Sequence, residues 1–202
     1  MSKNPVDRPV IQSIASRWSP YLFLPKEIEE EKLVTCLEAA RWAASSFNDQ
    51  PWHWIVARRQ DPEAFEQMLS CLLEANQGWA KYAGALILTA IRPTFAYNNK
   101  PNRVALHDLG QAACQLSLQA TELGLQVHQM AGVNLSRVRQ EYGIPAEIEP
   151  QTAIAIGYPN TGDPIDDTQK DLVERESGAR KRRMLADQVY EKNWGQSASF
   201  LS

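Results

Sequence analysis

The run Ala85–Ile91 (ALILTAI) has no charged side chain in seven residues, and it constrains the chain more than any other segment. It reads as a buried strand, and a strand that is apolar along its whole length must be covered on both faces. Thr152–Ile156 (TAIAI), closed by Gly157 and Pro159, is a second such strand. Trp52–Ala57 (WHWIVA) is aromatic and β-branched, with Pro51 just before it, and suits the start of a third. The longest apolar stretch, Ala83–Ile91, is far short of the roughly 20 residues that a membrane helix needs.

Helical periods alternate with these runs. Pro25 and the carboxylates Glu27, Glu29, Glu30 and Glu31 mark a helix start, with Ile28, Leu33, Leu37 and Ala40 on its apolar face. Asp61-Pro62-Glu63 reads as a cap and a first turn, opening a helix through about Ala75. The longest pattern, about Arg103 to Leu123, spaces Ala105, Leu109, Ala112, Leu116, Ala120 and Leu123 three or four apart and stops at Gly124. It is a central core or dimer helix. A short helix, Asn134–Tyr142, is capped by Asn134 and ended by Gly143.

No repeat or low-complexity linker divides the 202 residues, and 44% hydrophobic content supplies one sizeable core. The expectation is a single domain, 1–202, with a C-terminal extension from about 163 to 202. That extension opens with Asp163, Asp166, Asp167, Lys170 and Asp171 and leads into Arg180-Lys181-Arg182-Arg183. A charge run of this kind is ordinarily a solvated helix face.

Several function classes drop out. A net charge of −3, from 21 basic and 24 acidic residues, gives no field for nucleic acid or an anionic membrane surface. Cys36, Cys71 and Cys114 are odd in number and unpaired in spacing, so they read as reduced core thiols of a cytoplasmic protein. GxGxxG, GxxxxGK[ST], HExxH and GxSxG are all absent. His53, His107 and His128 lack metal-ligand spacing and read as structural groups.

Four separated segments carry polar chemistry. In Ile14–Phe23 (IASRWSPYLF), Arg17 and Ser19 follow a short helix and offer a guanidinium fork and a hydroxyl to a phosphate. In Ala43–Trp52 (AASSFNDQPW), Ser45, Ser46, Asn48 and Gln50 occupy a turn beside a strand. Asn76 offers an amide able to meet the polar edge of a pyrimidine ring. The fourth segment is the basic cluster at 180–183. Taken singly, each is equally served by a surface salt bridge, a turn, a helix end or a solvated tail.

Together and in this order they resemble the nitroreductase family. R-W-S-P-Y-L-F and A-S-S-F-N-D-Q-P-W are similar to that family's two N-terminal runs, and His107–Val133 is similar to its long helix and following loop. The resemblance continues through Ala155–Pro159 (AIGYP) and RKRRML to Trp194-Gly195. It implies an α+β fold with a central, mostly antiparallel sheet flanked by helices, assembled as a homodimer. It implies FMN as cofactor, with Arg17, Trp18 and Ser19 at its phosphate and ribityl end, aided by Arg180 and Arg182. Ser45, Ser46 and Asn48 would contact it partly across the dimer interface, Asn76 would bond the pyrimidine edge, and Gln129, Met130, Ala131 and Gly132 would form a loop against the ring. NAD(P)H would reduce the flavin, and a nitroaromatic, a quinone or a similar small acceptor would reoxidise it from the same slot. The chain departs from the pattern at Tyr21, where a second basic residue is usual, at Ala44, which replaces a proline, and at Trp79, where some members place a lysine. Those departures keep open a flavin-storing, flavin-processing or sensing role, and beyond it a structural domain whose polar loops merely turn.

Overall fold

The computed structural model describes residues 4–178 and 180–201. Its helices and strands run, in chain order, α1 (Gln12–Ser16), α2 (Glu30–Arg41), β1 (Trp52–Arg58), α3 (Pro62–Ser70), α4 (Glu74–Ala80), β2 (Ala85–Ile91), α5 (Ala105–Glu122), β3 (Gln126–Met130), α6 (Leu135–Glu141), β4 (Glu149–Gly157) and α7 (Asp167–Ser177). The strands form one sheet in the order β1-β2-β4-β3, antiparallel throughout.

Each side of the sheet carries its own core, because successive side chains on a strand point to opposite faces. Ile87, Ile154 and Ile156 pack with Leu33, Cys36 and Ala40 of α2 and with Leu109, Ala112 and Leu116 of α5. Leu86, Leu88, Ala153 and Ala155 pack against Phe65 and Met68 of α3, Trp79 of α4 and Val138 of α6. β2 is therefore buried at all seven positions, as its composition demands. β1 is an edge strand: Trp52 and Ala57 are its buried residues, so the expected third buried strand is covered mainly at those two points.

The local signals act where they were expected. Asp61 accepts a hydrogen bond from Ala64 N–H, and Pro62 opens α3. Asn134 caps α6 by accepting from Arg137 N–H. Gly124 and Gly143 leave α5 and α6 with φ of 75° and 57°, a conformation that costs glycine nothing. The charge run at 167–177 is helical, whereas the basic cluster that follows it is not.

Three expectations require correction. The helix expected from 62 to about Ala75 ends at Ser70, and a separate helix begins at Glu74. Between them Leu72 bridges to Val133, Leu73 N–H donates to Gly132 O at 3.0 Å, and Asn134 N–H donates to Cys71 O at 2.8 Å, so pairing with a distant segment outcompetes continued helix. The loop expected at 129–132 begins inside β3, which pairs Gln129 with Ile154 and Met130 with Ala153. Cys36 and Cys71 are buried, but Cys114 is exposed on the outer side of α5.

Gly84 and Gly157 meet where β2 and β4 begin and end their pairing. A Cβ at Gly84 would lie 2.6 Å from Ile28 Cγ1 and 2.8 Å from the Lys26 carbonyl oxygen. Because one of these neighbours is backbone, Gly84→Ala is expected to cost about 1–3 kcal/mol, read as a lower urea midpoint at unchanged slope.

Candidate active site

The segment 17–23 leaves α1 and runs beside the chain that follows β4. Leu24 N–H donates to Tyr158 O at 2.9 Å and Asn160 N–H to Leu22 O at 2.8 Å. Helix α7 is strapped across it at both ends. Gln169, fully buried, donates to Phe23 O at 2.9 Å and accepts from Asn160 Nδ2 and Ile165 N–H, each at 3.0 Å. Glu176 accepts from Trp18 Nε1 at 3.2 Å and from the N–H groups of Tyr21 and Leu22 at 2.8 Å each.

Under this strap lie two adjoining grooves. One, of about 380 Å³, includes Trp18, Ser19, Glu176 and Arg180 in its wall. The other, of about 290 Å³, includes Asn76, Trp79 and Gln129–Gly132. Tyr21, His128 and Arg175 line both, so the grooves meet at these three side chains.

The first groove is basic. Arg17 Nη1 lies 3.4 Å from Ser19 Oγ, and Arg180 Nη1 donates to Arg17 O at 3.1 Å and to Asn4 Oδ1 at 3.0 Å. Burial holds the Arg17 guanidinium below its ordinary pKa, and the charge of Arg182 adds to the effect. Burial does the same to Arg180, followed by the charges of Arg17 and Arg182. Three guanidinium groups therefore repel one another at this end, an arrangement that an anion would relieve. Arg182 takes part through its charge: its own hydrogen bond is to Lys181 O, on the surface.

The second groove is lined by amides and aromatic rings. Asn76 donates to Gly132 O at 3.1 Å, and a Cβ on Gly132 would stand 2.5 Å from Asn76 Nδ2, so a side chain there would displace the Asn76 amide. Gln129 reaches the other way, to Ser117 Oγ on α5 at 3.3 Å. Trp79 is buried, with its ring centroid 5.3 Å from that of Tyr21 and 4.5 Å from that of His128. His128 Nδ1 is 2.8 Å from Pro20 O, which can only accept, so Nδ1 carries the proton and Nε2 remains an acceptor. Burial, outweighing that hydrogen bond, keeps the His128 pKa below its ordinary value, and the ring is neutral at pH 7.

The candidate segments at 17–19, 76, 129–132 and 180 are thus brought together. Trp18, Ser19 and Arg180 line one groove, with Arg17 beside it through Ser19 and Arg180, and Asn76 and Gln129–Gly132 line the other. Ser45, Ser46 and Asn48 line neither. They belong to a tight loop in which Gln50 N–H donates to Ser45 Oγ at 3.0 Å and Ser46 N–H to Asp108 Oδ2 at 3.1 Å. Phe47, Asn48 and Gln50 all have left-handed φ, of 54°, 53° and 49°, a strain that marks a built feature. Phe47 is 77% exposed beside Phe95.

Among the polar residues that line the grooves, sequence reasoning missed Arg175, Glu176 and His128. Arg175 and Glu176 were submerged in a charge run, which gives no hint of which of its polar residues turn inward. His128 was set aside as structural, and the alternation that places Gln126, His128 and Met130 on one face of β3 is too short to stand out.

Comparisons with known proteins bear on the family of the chain. Residues 14–158 match the sequence pattern of the Nitroreductase family. A solved structure described as an oxidoreductase containing FMN superposes with a TM-score of 0.86 at 32% identity, covering 98% of each chain. An uncharacterised 15.4 kDa protein of Mycolicibacterium smegmatis is 30% identical over 127 residues, 63% of this chain and 82% of that one. A protein of Archaeoglobus fulgidus, provisionally named NADH dehydrogenase/NAD(P)H nitroreductase, is 26% identical over 189 residues, 91% of this chain and 98% of that one. With the antiparallel sheet between two helical layers and the paired grooves at its edge, these matches show that the chain belongs to the nitroreductase family.

Proposed function

We propose that this protein is an FMN-dependent oxidoreductase, one domain over 1–202, that moves two electrons from NADH or NADPH to a nitroaromatic, a quinone or a similar small acceptor. The observation that carries the reading is the junction of a groove lined by Ser19 and Arg180, whose guanidinium is repelled by those of Arg17 and Arg182, with a second groove lined by amides and aromatic rings. The residues fit FMN on chemical grounds. Arg17, Ser19, Arg180 and Arg182 suit its dianionic phosphate, and Asn76 and the main chain of 129–132 suit the polar edge and the hydride-accepting side of its ring system. When bound, FMN supplies hydride acceptance from the nicotinamide and electron delivery to the acceptor; the chain supplies position, charge and exclusion of competing reactions. The electron donor is inferred from the Archaeoglobus relative's name, and the cofactor from the FMN-containing neighbour together with the groove.

Alternation of donor and acceptor in one slot accords with a site that has no paired acid and base: His128 is the imidazole in the grooves, and it is neutral and tautomerically fixed. Self-association is part of the reading. Leu106, Gly110 and Cys114, four apart on α5, face outward in an apolar and small-residue stripe, and the strained loop carrying Ser45, Ser46 and Asn48 would complete the site from a second copy. The free cysteines accord with a cytoplasmic, reducing location.

The purified protein is expected to be yellow, and its visible absorption to bleach on adding NADH or NADPH without oxygen, then return with a quinone. Colour that survives both nucleotides would point instead to flavin storage or sensing, which the Tyr21 and Trp79 rings in the wall of the ring-end groove would favour.

A further inference from the structure

The C-terminal helix brings a cation to the place where the two grooves join. Arg175 lines both, beside Tyr21 and His128, and its guanidinium lies over the Tyr21 ring at 4.6 Å. Stacking on an aromatic face fixes a guanidinium in place and leaves its charge intact. None of the ion pairs among the described residues uses Arg175, and the neighbouring carboxylate, Glu176, is committed to Trp18, Tyr21 and Leu22. At the ring end of the site the other polar side chains are Asn76 and Gln129, both uncharged, and His128, which is neutral. Arg175 is therefore the cationic side chain that borders this groove.

The junction has a chemical meaning if the site holds FMN, the reading on which this inference rests. In that molecule the ring nitrogen bearing the ribityl chain is separated by one carbon from N1 of the pyrimidine ring. A side chain that borders both the ribityl groove and the amide-edged end of the ring groove thus stands near N1 and the C2 carbonyl. The chemistry that bound FMN supplies is acceptance of two electrons and one proton, as a hydride from the reduced nicotinamide, which departs oxidised; the added negative charge rests on N1 and the C2 carbonyl.

We propose that Arg175 supplies the positive charge that stabilises this added negative charge, so that α7 closes the site and also sets how readily its cofactor is reduced. Position 79, where some family members carry a lysine, here holds a buried tryptophan whose ring meets Tyr21. The cation arrives instead from α7, over the ring of that same Tyr21. As a stabiliser of charge that develops only on reduction, Arg175 should act on the reduced state far more than on the oxidised one.

The test compares Arg175→Gln and Arg175→Lys with the full-length parent protein. The affinity for oxidised FMN is measured by fluorescence quenching, and the midpoint potential of the bound cofactor by equilibration with a dye of known potential. Together these give the ratio of reduced to oxidised affinity. Arg175→Gln is expected to lower that ratio roughly tenfold or more, with oxidised affinity within about threefold of the parent, as removal of a nearby unit charge implies. Arg175→Lys is expected to restore most of the ratio. The potential of Arg175→Gln should also depend more steeply on pH, because N1 would then take up a second proton. An unchanged ratio in Arg175→Gln, or equal losses of oxidised and reduced affinity, would overturn the proposal. A parent protein that takes up no FMN would overturn the reading of function itself, and the proposal with it.

Discussion

Replacing Arg17 and Arg180 together by alanine is expected to weaken FMN binding by roughly 10²–10⁴-fold, since each charge-assisted hydrogen bond to a phosphate contributes about 1.5–3 kcal/mol. The effect should be confined to the phosphate. Riboflavin, which has the same rings and ribityl chain without that group, should bind the double variant and the parent about equally. The fold should survive, because in the absence of ligand these guanidinium groups are buried against one another's charge. What Arg180 gives up is its pair of hydrogen bonds to Asn4 and the Arg17 carbonyl, at the surface of the N-terminal segment. Titration calorimetry with FMN and riboflavin in parallel reads both numbers. Equal losses for the two ligands would mean that the basic end of the groove holds shape and not phosphate.

On the proposed pairing of two copies through α5, Gly110→Arg is expected to leave the protein monomeric and to release its FMN, while raising the thermal stability of the isolated chain. The two directions have separate causes. Within one chain a Cβ at Gly110 meets nothing within 4 Å, and an arginine in mid-helix is intrinsically more favourable than glycine by about 0.5–1 kcal/mol. At a two-fold interface the same substitution places two guanidinium groups against the stripe of Leu106 and Cys114, an uncompensated charge on each side. Analytical ultracentrifugation with absorbance at the flavin wavelength follows mass and cofactor together. A flavin-loaded dimer in the variant would remove α5 from the interface, and a flavin-loaded monomer would remove the need for a partner altogether.

The layered architecture was legible because it depends on local, one-dimensional signals. Ala85–Ile91 had to be covered on both faces, the 3.6-residue period of 105–122 had to lie along a core, and Asp61, Asn134, Gly124 and Gly143 sit where backbone geometry rewards those side chains. The boundary between α3 and α4 was not legible. No proline or glycine breaks the helical pattern near Cys71, and the break comes from Val133 and Gly132, some 60 residues away in sequence, taking up the backbone of Leu72 and Leu73.

The same division runs through the site. Residue chemistry drew attention to Arg17, Ser19, Asn76 and the basic run at 180–183, because guanidinium, hydroxyl and amide groups keep their donor and acceptor properties wherever they are placed, and the family resemblance chose Arg180 and Arg182 from that run. That Arg17 and Arg180 meet beside one groove, that Asn76 stands over Gly132, and that Ser45, Ser46 and Asn48 stand apart from both within a single chain, followed only from the tertiary structure. So did the entry of Arg175, Glu176 and His128. Their roles depend on which face of α7 or β3 turns inward, and that is decided by packing against Tyr21 and Trp79, energies that no period in the sequence encodes.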